Sequence, residues 1–179
     1  DWTMTGTTGW ALGASVGTAG DVNGDGYDDV IVGAPDTDKG TACVYLGAPS
    51  PDAVADLVLG GQSNGDEFGG SVGTAGDVNR DGYADVIVGA MRNDAGGPDA
   101  GRAYVYYGGS SPDATADMTL TGGSAYAYFG QSVGTAGDVN DDGYADVIVG
   151  AAFTDAAGTD AGQACVFYGG WAADGVADH

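Results

Sequence analysis

The string DVNGDGYDDVIVGA begins at Asp21, DVNRDGYADVIVGA at Asp77 and DVNDDGYADVIVGA at Asp138. A cassette repeated this closely makes the repeat, and not the whole 179-residue chain, the unit of folding. Oxygen-bearing side chains alternate within each copy: Asp21, Asn23 and Asp25; Asp77, Asn79 and Asp81; Asp138, Asn140 and Asp142. They can converge only if the backbone curls around one point, and the glycine that follows (Gly26, Gly82, Gly143) permits the turn. Hard cations favour such all-oxygen cages, so the spacing predicts Ca²⁺, three ions per chain.

The opening of each loop copies an EF-hand, but an EF-hand closes with a later bidentate Glu and continues as a helix. Here the last carboxylate is Asp29, Asp85 or Asp146, and a β-branched run such as Val86, Ile87 and Val88 follows at once. The loop therefore caps a hairpin. These aspartates complete the expected ligand sets, with the main-chain carbonyls of Tyr27, Tyr83 and Tyr144 added by analogy with the EF-hand. Asp, Asn and Gly also dominate ordinary turns that bind nothing. Four such residues at fixed spacing, three times over, favour a metal.

Net charge is −22 with only four Lys and Arg residues, which argues against nucleic acid or an anionic membrane as partner. The acidity has a local cause, since eleven of the 26 acidic residues lie in the three loops. No apolar stretch approaches the length of a membrane span, so no membrane insertion is expected. The chain starts at Asp1 without Met and ends on its single histidine, His179, which reads as a processed or trimmed chain.

Aligning the units extends the repeat beyond the loops. A glycine-rich strand A precedes each loop (12–20, 68–76, 129–137), and strand B follows it (30–33, 86–89, 147–150). Strand C covers 42–45, 103–106 and 164–167, and strand D covers 56–60 and 117–121. Each unit is thus four short strands, the fold is all-β, and no helical periodicity is present. The pattern resembles the FG-GAP repeat of integrin α-subunit propellers. Phe68 and Gly69 with Gly89 and Ala90, and Phe129 and Gly130 with Gly150 and Ala151, carry the motif; Leu12 and Gly13 with Gly33, Ala34 and Pro35 carry it in degenerate form. The resemblance implies a β-propeller of four-stranded antiparallel blades, with calcium held between strands A and B. Blade 1 has its core at 12–60, blade 2 at 68–121 and blade 3 at 129–168.

The third unit runs to Gly175 and Asp178 without a strand D, whereas the segment from Asp1 to Gly6 matches Asp117 to Gly122. Residues 1–6 are therefore expected to complete a third blade. Propellers have more than three blades, so a homodimer of six, closed by exchange of that strand, is expected. A fragment of a longer propeller is the rival reading.

The B–C and D–A loops should share one face, opposite the calcium loops. Their lengths and chemistry vary, with Trp10 in one, Asn64, Asp66 and Glu67 in the next, and Tyr126 and Tyr128 in the third. A protein or glycan ligand belongs there, unless the aromatics cover neighbouring blades. No Ser-His or Cys-His pair can be built from a terminal His179, and Cys43 and Cys165 share the strand C position of Tyr104, which makes them core filler and free thiols. The expected function is non-catalytic: a calcium-binding scaffold or adhesion-type module, secreted or at the cell surface. Alternatives are an accessory domain of an extracellular enzyme, or an engineered, self-assembling propeller fragment.

Overall fold

The computed structural model describes residues 2–170; Asp1, the stretch from Gly175 to Asp178 and His179, on which the sequence reading also drew, lie outside them. Among the described residues there are eleven strands and no helix. Blade 1 is β1 (Ser15–Gly20), β2 (Asp29–Ala34), β3 (Thr41–Tyr45) and β4 (Leu57–Gly60). Blade 2 is β5 (Phe68–Gly76), β6 (Asp85–Ala90), β7 (Arg102–Tyr106) and β8 (Met118–Thr121). Blade 3 is β9 (Ser132–Gly137), β10 (Asp146–Ala151) and β11 (Gln163–Phe167). Each is an antiparallel meander, four-stranded in the first two and three-stranded among the described residues of the third.

Strand A begins later than the sequence suggests in two blades. A turn at the corner, closed by Ala14 N–H to Ala11 O and by Gln131 N–H to Tyr128 O (both 3.0 Å), delays the ladder to Ser15 and Ser132. In blade 2 the same turn, Gly70 N–H to Glu67 O, is absorbed as a bulge between Phe68 and Ser71, and β5 keeps its phenylalanine.

Both faces of the central blade must be apolar, because it is covered on two sides. The Val-Ile-Val runs provide this: in the central blade every residue of β6 is buried. Ile31, Ala42, Val44 and Leu59 of blade 1 meet Phe68, Val88, Tyr104 and Tyr106 of blade 2. Ile87, Val105 and Leu120, on the other face of blade 2, meet Phe129, Val147, Val149 and Phe167 of blade 3. The aromatics interlock edge to face, with Phe68 6.4 Å from Tyr106 and Phe129 5.9 Å from Phe167.

The Phe-Gly and Gly-Ala pairs have a steric basis. A Cβ on Gly33 would run into the carbonyl oxygen of Gly69, and one on Gly89 into that of Gly130. The glycine of one motif thus lies against the glycine of the other across each junction. Gly69 also adopts φ 87°, a region other residues rarely occupy.

Gly89→Ala should therefore cost about 2 kcal/mol or more by overpacking against backbone that cannot yield. Gly123→Ala, whose Cβ would meet nothing within 4 Å, should leave the melting temperature within a few degrees. Cys43 and Cys165 are unpaired and sit at matching positions of different blades. Thiol titration under denaturing, non-reducing conditions should count both.

Candidate metal centre

The hairpin between the first two strands of each blade is folded by its own carboxylates. Asp21 Oδ1 accepts from the N–H groups of Gly24 (2.8 Å) and Asp25 (3.1 Å), and its Oδ2 from Gly26 (2.9 Å). Asn23 Oδ1 accepts from the same Asp25 N–H (3.0 Å), which brings the oxygens of the first and third positions to one side of the loop. Asn23 then donates from Nδ2 to Asp25 Oδ2 (2.9 Å), and Asp25 Oδ1 accepts from Tyr27 N–H (3.0 Å).

The other loops repeat this pattern. Asp81 N–H is shared by Asp77 and Asn79, both at 3.0 Å, and Asp142 N–H by Asp138 and Asn140, both at 3.0 Å. Asn79 donates to Asp81 at 2.9 Å and Asn140 to Asp142 at 2.8 Å; Tyr83 and Tyr144 close the turns through their N–H groups. The structure thus brings positions one, three and five of the predicted sets together in all three blades.

The remaining carboxylates occupy a different environment. Asp29, Asp85 and Asp146 are fully buried. Asp29 accepts from Val22 N–H (2.8 Å) and from Gly47 N–H (2.7 Å), just past β3. Asp85 does the same with Val78 (2.7 Å) and Gly108 (2.8 Å), and Asp146 with Val139 (2.8 Å) and Gly169 (2.9 Å). Each is a clamp that ties the calcium-type loop to the exit of the third strand. Burial pushes the Asp85 carboxyl up to about 7; the two N–H groups pull it down, and Asp81 and Asp77 add repulsion. Asp29 is raised as well, first by burial.

These residues fit a hard cation in their chemistry. Every donor to the loop oxygens is a backbone or amide N–H, and a carboxylate oxygen has room for two partners; Asp21 Oδ1 has both, and Asp21 Oδ2 and the oxygens of Asp25 have one each. Among the described residues no loop carboxylate is in an ion pair: the pair found joins Arg92 to Glu67 at 2.9 Å, elsewhere, and Arg80, the one basic residue of the loops, lies over the Tyr144 ring. No three acidic, thiol or imidazole groups among the described residues gather closely enough to form a cage unaided. A bound ion would draw on the amide oxygens of Asn23, Asn79 and Asn140 and the carbonyls of Tyr27, Tyr83 and Tyr144 beside the carboxylates.

Sequence reasoning missed the contacts between successive loops. The Tyr83 ring lies against Gly24, where a Cβ would come within 2.6 Å of it, and the Arg80 guanidinium sits 5.8 Å over the Tyr144 ring. Arg80 is the single basic residue in any of the three loops, which was the available signal.

On the opposite face the D–A and B–C loops bond to each other, as in Arg92 N–H to Asp66 O (3.2 Å) and Tyr126 N–H to Pro98 O (2.7 Å). Several residues singled out there are engaged locally. Asp66 is buried and accepts from Asn93 Nδ2 at 2.6 Å, Glu67 pairs with Arg92, and Tyr128 stacks edge-on against Phe153 at 5.4 Å. Asp66 and Glu67 thus face different partners and do not form an opposed acid pair. Trp10 and Tyr126 are exposed, and a polar cleft between Gln62, Asn64, Asp66, Arg92, Asn93 and Asp99 opens on this face.

The clamp and the loop respond differently to truncation. Asp85→Ala strands two backbone N–H groups in the interior and should cost about 2 kcal/mol or more in metal-free buffer. Asp81→Ala removes exposed turn bonds and should cost about 0.5–1 kcal/mol there, measured by urea unfolding.

Comparison with known proteins agrees with this geometry. A family model described as FG-GAP repeat matches residues 12–66, 68–106 and 129–167. The chain is 36% identical over 149 residues to integrin alpha-IIb of Mus musculus, covering 73% of this chain and 14% of that protein. It is 31% identical over 156 residues to integrin alpha-4 of Xenopus laevis (82% and 15%) and 32% identical over 151 residues to integrin alpha-5 of the same organism (75% and 14%). It spans only that small share of the relatives it matches. Three matched repeats, each folded as a blade with its hairpin loop at the same corner, make this chain a member of the FG-GAP repeat family, with an integrin-like β-propeller architecture.

Proposed function

We propose that the chain is a calcium-stabilised, non-catalytic propeller module that serves as a scaffold or adhesion-type element, secreted or at the cell surface. The observation that carries the reading is the set of three loops with one hydrogen-bond pattern, each gathering carboxylate and amide oxygens at its first, third and fifth positions, with no ion pair to those carboxylates among the described residues. A divalent cation supplies the missing positive charge and holds the loop oxygens in one arrangement; extracellular calcium is abundant enough to fill sites of modest affinity. The ligands are Asp21, Asn23, Asp25, Tyr27 and Asp29 in the first loop, with Asp77, Asn79, Asp81, Tyr83 and Asp85, and Asp138, Asn140, Asp142, Tyr144 and Asp146 in the others. The buried aspartates clamp the backbone with one lone pair of each oxygen, and the remaining lone pairs would be available to hold the ion.

Likeness to integrin α-subunits supports an adhesion-type role, while fold alone does not name a ligand. The face formed by the D–A and B–C loops is where a protein or glycan would bind: Trp10 and Tyr126 project from it, and the polar cleft between Asn64 and Asp99 lies beside them. Among the described residues no helix is long and apolar enough to cross a membrane.

Metal that binds only the folded state raises its stability in proportion to the logarithm of its concentration. Excess EDTA should lower the melting temperature, and calcium should restore it. Metal analysis after equilibration should find three ions per chain, and two for Asp81→Ala. An unchanged melting temperature together with no bound calcium would rule the reading out.

A further inference from the structure

The second and third calcium-type loops lie side by side, and one positive charge crosses from the second to the third. Backbone bonds hold the two together: Ala145 N–H donates to Asp77 O at 3.0 Å and Gly170 N–H to Val78 O at 2.9 Å. One blade earlier the same bonds join the first loop to the second, from Ala84 N–H to Asp21 O at 3.0 Å and from Gly109 N–H to Val22 O at 2.8 Å. The start of each loop is thereby tied to the tyrosine end of the next. The residue that reaches across is the fourth of the cassette, Gly24 at the first junction and Arg80 at the second.

At the first junction this contact is neutral. The Tyr83 ring lies against Gly24, where a Cβ would come within 2.6 Å of it. At the second, the Arg80 guanidinium fills the space that a side chain on Gly143 would need, since a Cβ there would lie 2.5 Å from Nη1 and 2.9 Å from Cζ. Cζ sits 5.8 Å over the Tyr144 ring. Gly143 N–H donates to Asp138 Oδ2 at 2.8 Å, and Tyr144 N–H to Asp142 Oδ1 at 2.9 Å. The guanidinium therefore stands on the wall of the third loop, against the two residues that hold its carboxylates, and is in no ion pair with either of them.

The backbone accepts a cost to put it there. Arg80 has φ 59°, the left-handed region that Gly24, at φ 74°, occupies without steric penalty. Stacking on Tyr144 offsets part of that cost and fixes where the charge lies.

On the calcium reading given above, we propose that Arg80, a residue of the second loop, weakens divalent-cation binding at the third. A cation held by Asp138, Asn140 and Asp142 shares its loop with a guanidinium that no carboxylate neutralises, and the two repel. Arg80 is exposed, so the repulsion is screened: it lowers affinity on the order of fivefold at low salt and fades as ionic strength rises. The second loop meets only Gly24 from its neighbour, and its own arginine is turned toward Gly143. One blade thus sets the calcium threshold of the next. Asp141, fourth in the third loop, adds a negative charge there, so the effect is read as a change in one loop between variants.

Calcium titration of the intact chain, followed by the amide NMR signals of Gly82 and Gly143, reports the second and third loops separately. Arg80→Gln should tighten binding at the third loop by about fivefold at low salt, with a smaller change at the second. Added sodium chloride should shrink that gain. Arg80→Lys keeps the charge without the planar stack and should stay close to the unmodified chain. Both variants should keep the circular dichroism spectrum, because the side chain is exposed. An unchanged third loop in Arg80→Gln overturns the proposal while leaving the calcium reading intact. An equal gain in both loops, a gain indifferent to salt, or the same gain in Arg80→Lys overturns it as well. If neither glycine signal moves with calcium, the calcium reading itself fails and this inference falls with it.

Discussion

A carboxylate buried at the head of each second strand sets the geometry of the blade. Asp29, Asp85 and Asp146 have no exposed surface and, among the described residues, no basic partner, and each remains inside because two backbone N–H groups from different corners meet its two oxygens. One donor comes from the loop after the first strand, the other from the turn after the third. The clamp therefore fixes three strands relative to one another before side-chain packing is considered. The Val-Ile-Val run that follows is held in register against both neighbours, and the glycine of the next Phe-Gly motif can approach backbone to backbone. Loss of the clamp would loosen the loop that presents the remaining oxygens as well as the strand that feeds the core.

Much of this was legible in the sequence because it repeats. Three copies of one cassette located the loops, the strand that follows each and the unit length, and the alternation of Asp and Asn predicted which side chains meet. The double role of the last aspartate was hidden, because its backbone partners, Gly47, Gly108 and Gly169, lie many residues downstream and depend on how β3, β7 and β11 return. Strand starts were misjudged in the first and third blades because a corner turn between Ala11 and Ala14, or Tyr128 and Gln131, consumes residues that a glycine-rich pattern assigns to the ladder. That corner places Ala11, Glu67 and Tyr128 at φ 49°, 55° and 53°, a conformation that none of the three residue types announces.

The face opposite the calcium-type loops shows why a chemically suggestive residue is a weak guide to binding. Position for position, Glu67 with Arg92 and Tyr128 with Phe153 are the same contact in successive blades, written once as an ion pair and once as an aromatic pair. Both brace a loop against its neighbour. What remains exposed, Trp10 and Tyr126, is the surface that local structure does not use.

The innermost strands all contain the string SVGTAG, and they touch one another directly: Ser15 bonds to Val72, and Ser71 to Val133. At the hub, therefore, nothing distinguishes one blade from the next, and a nascent chain could dock its units in the wrong order with every hub contact satisfied. Repeat proteins are prone to this kind of misassembly during folding. The information that orders the blades must lie at the rim, in contacts that differ between junctions: Arg80 over Tyr144, Tyr83 on Gly24, Arg102 reaching Gln62. Sequence drift at the rim thus has a use of its own, as the address by which near-identical units find their places.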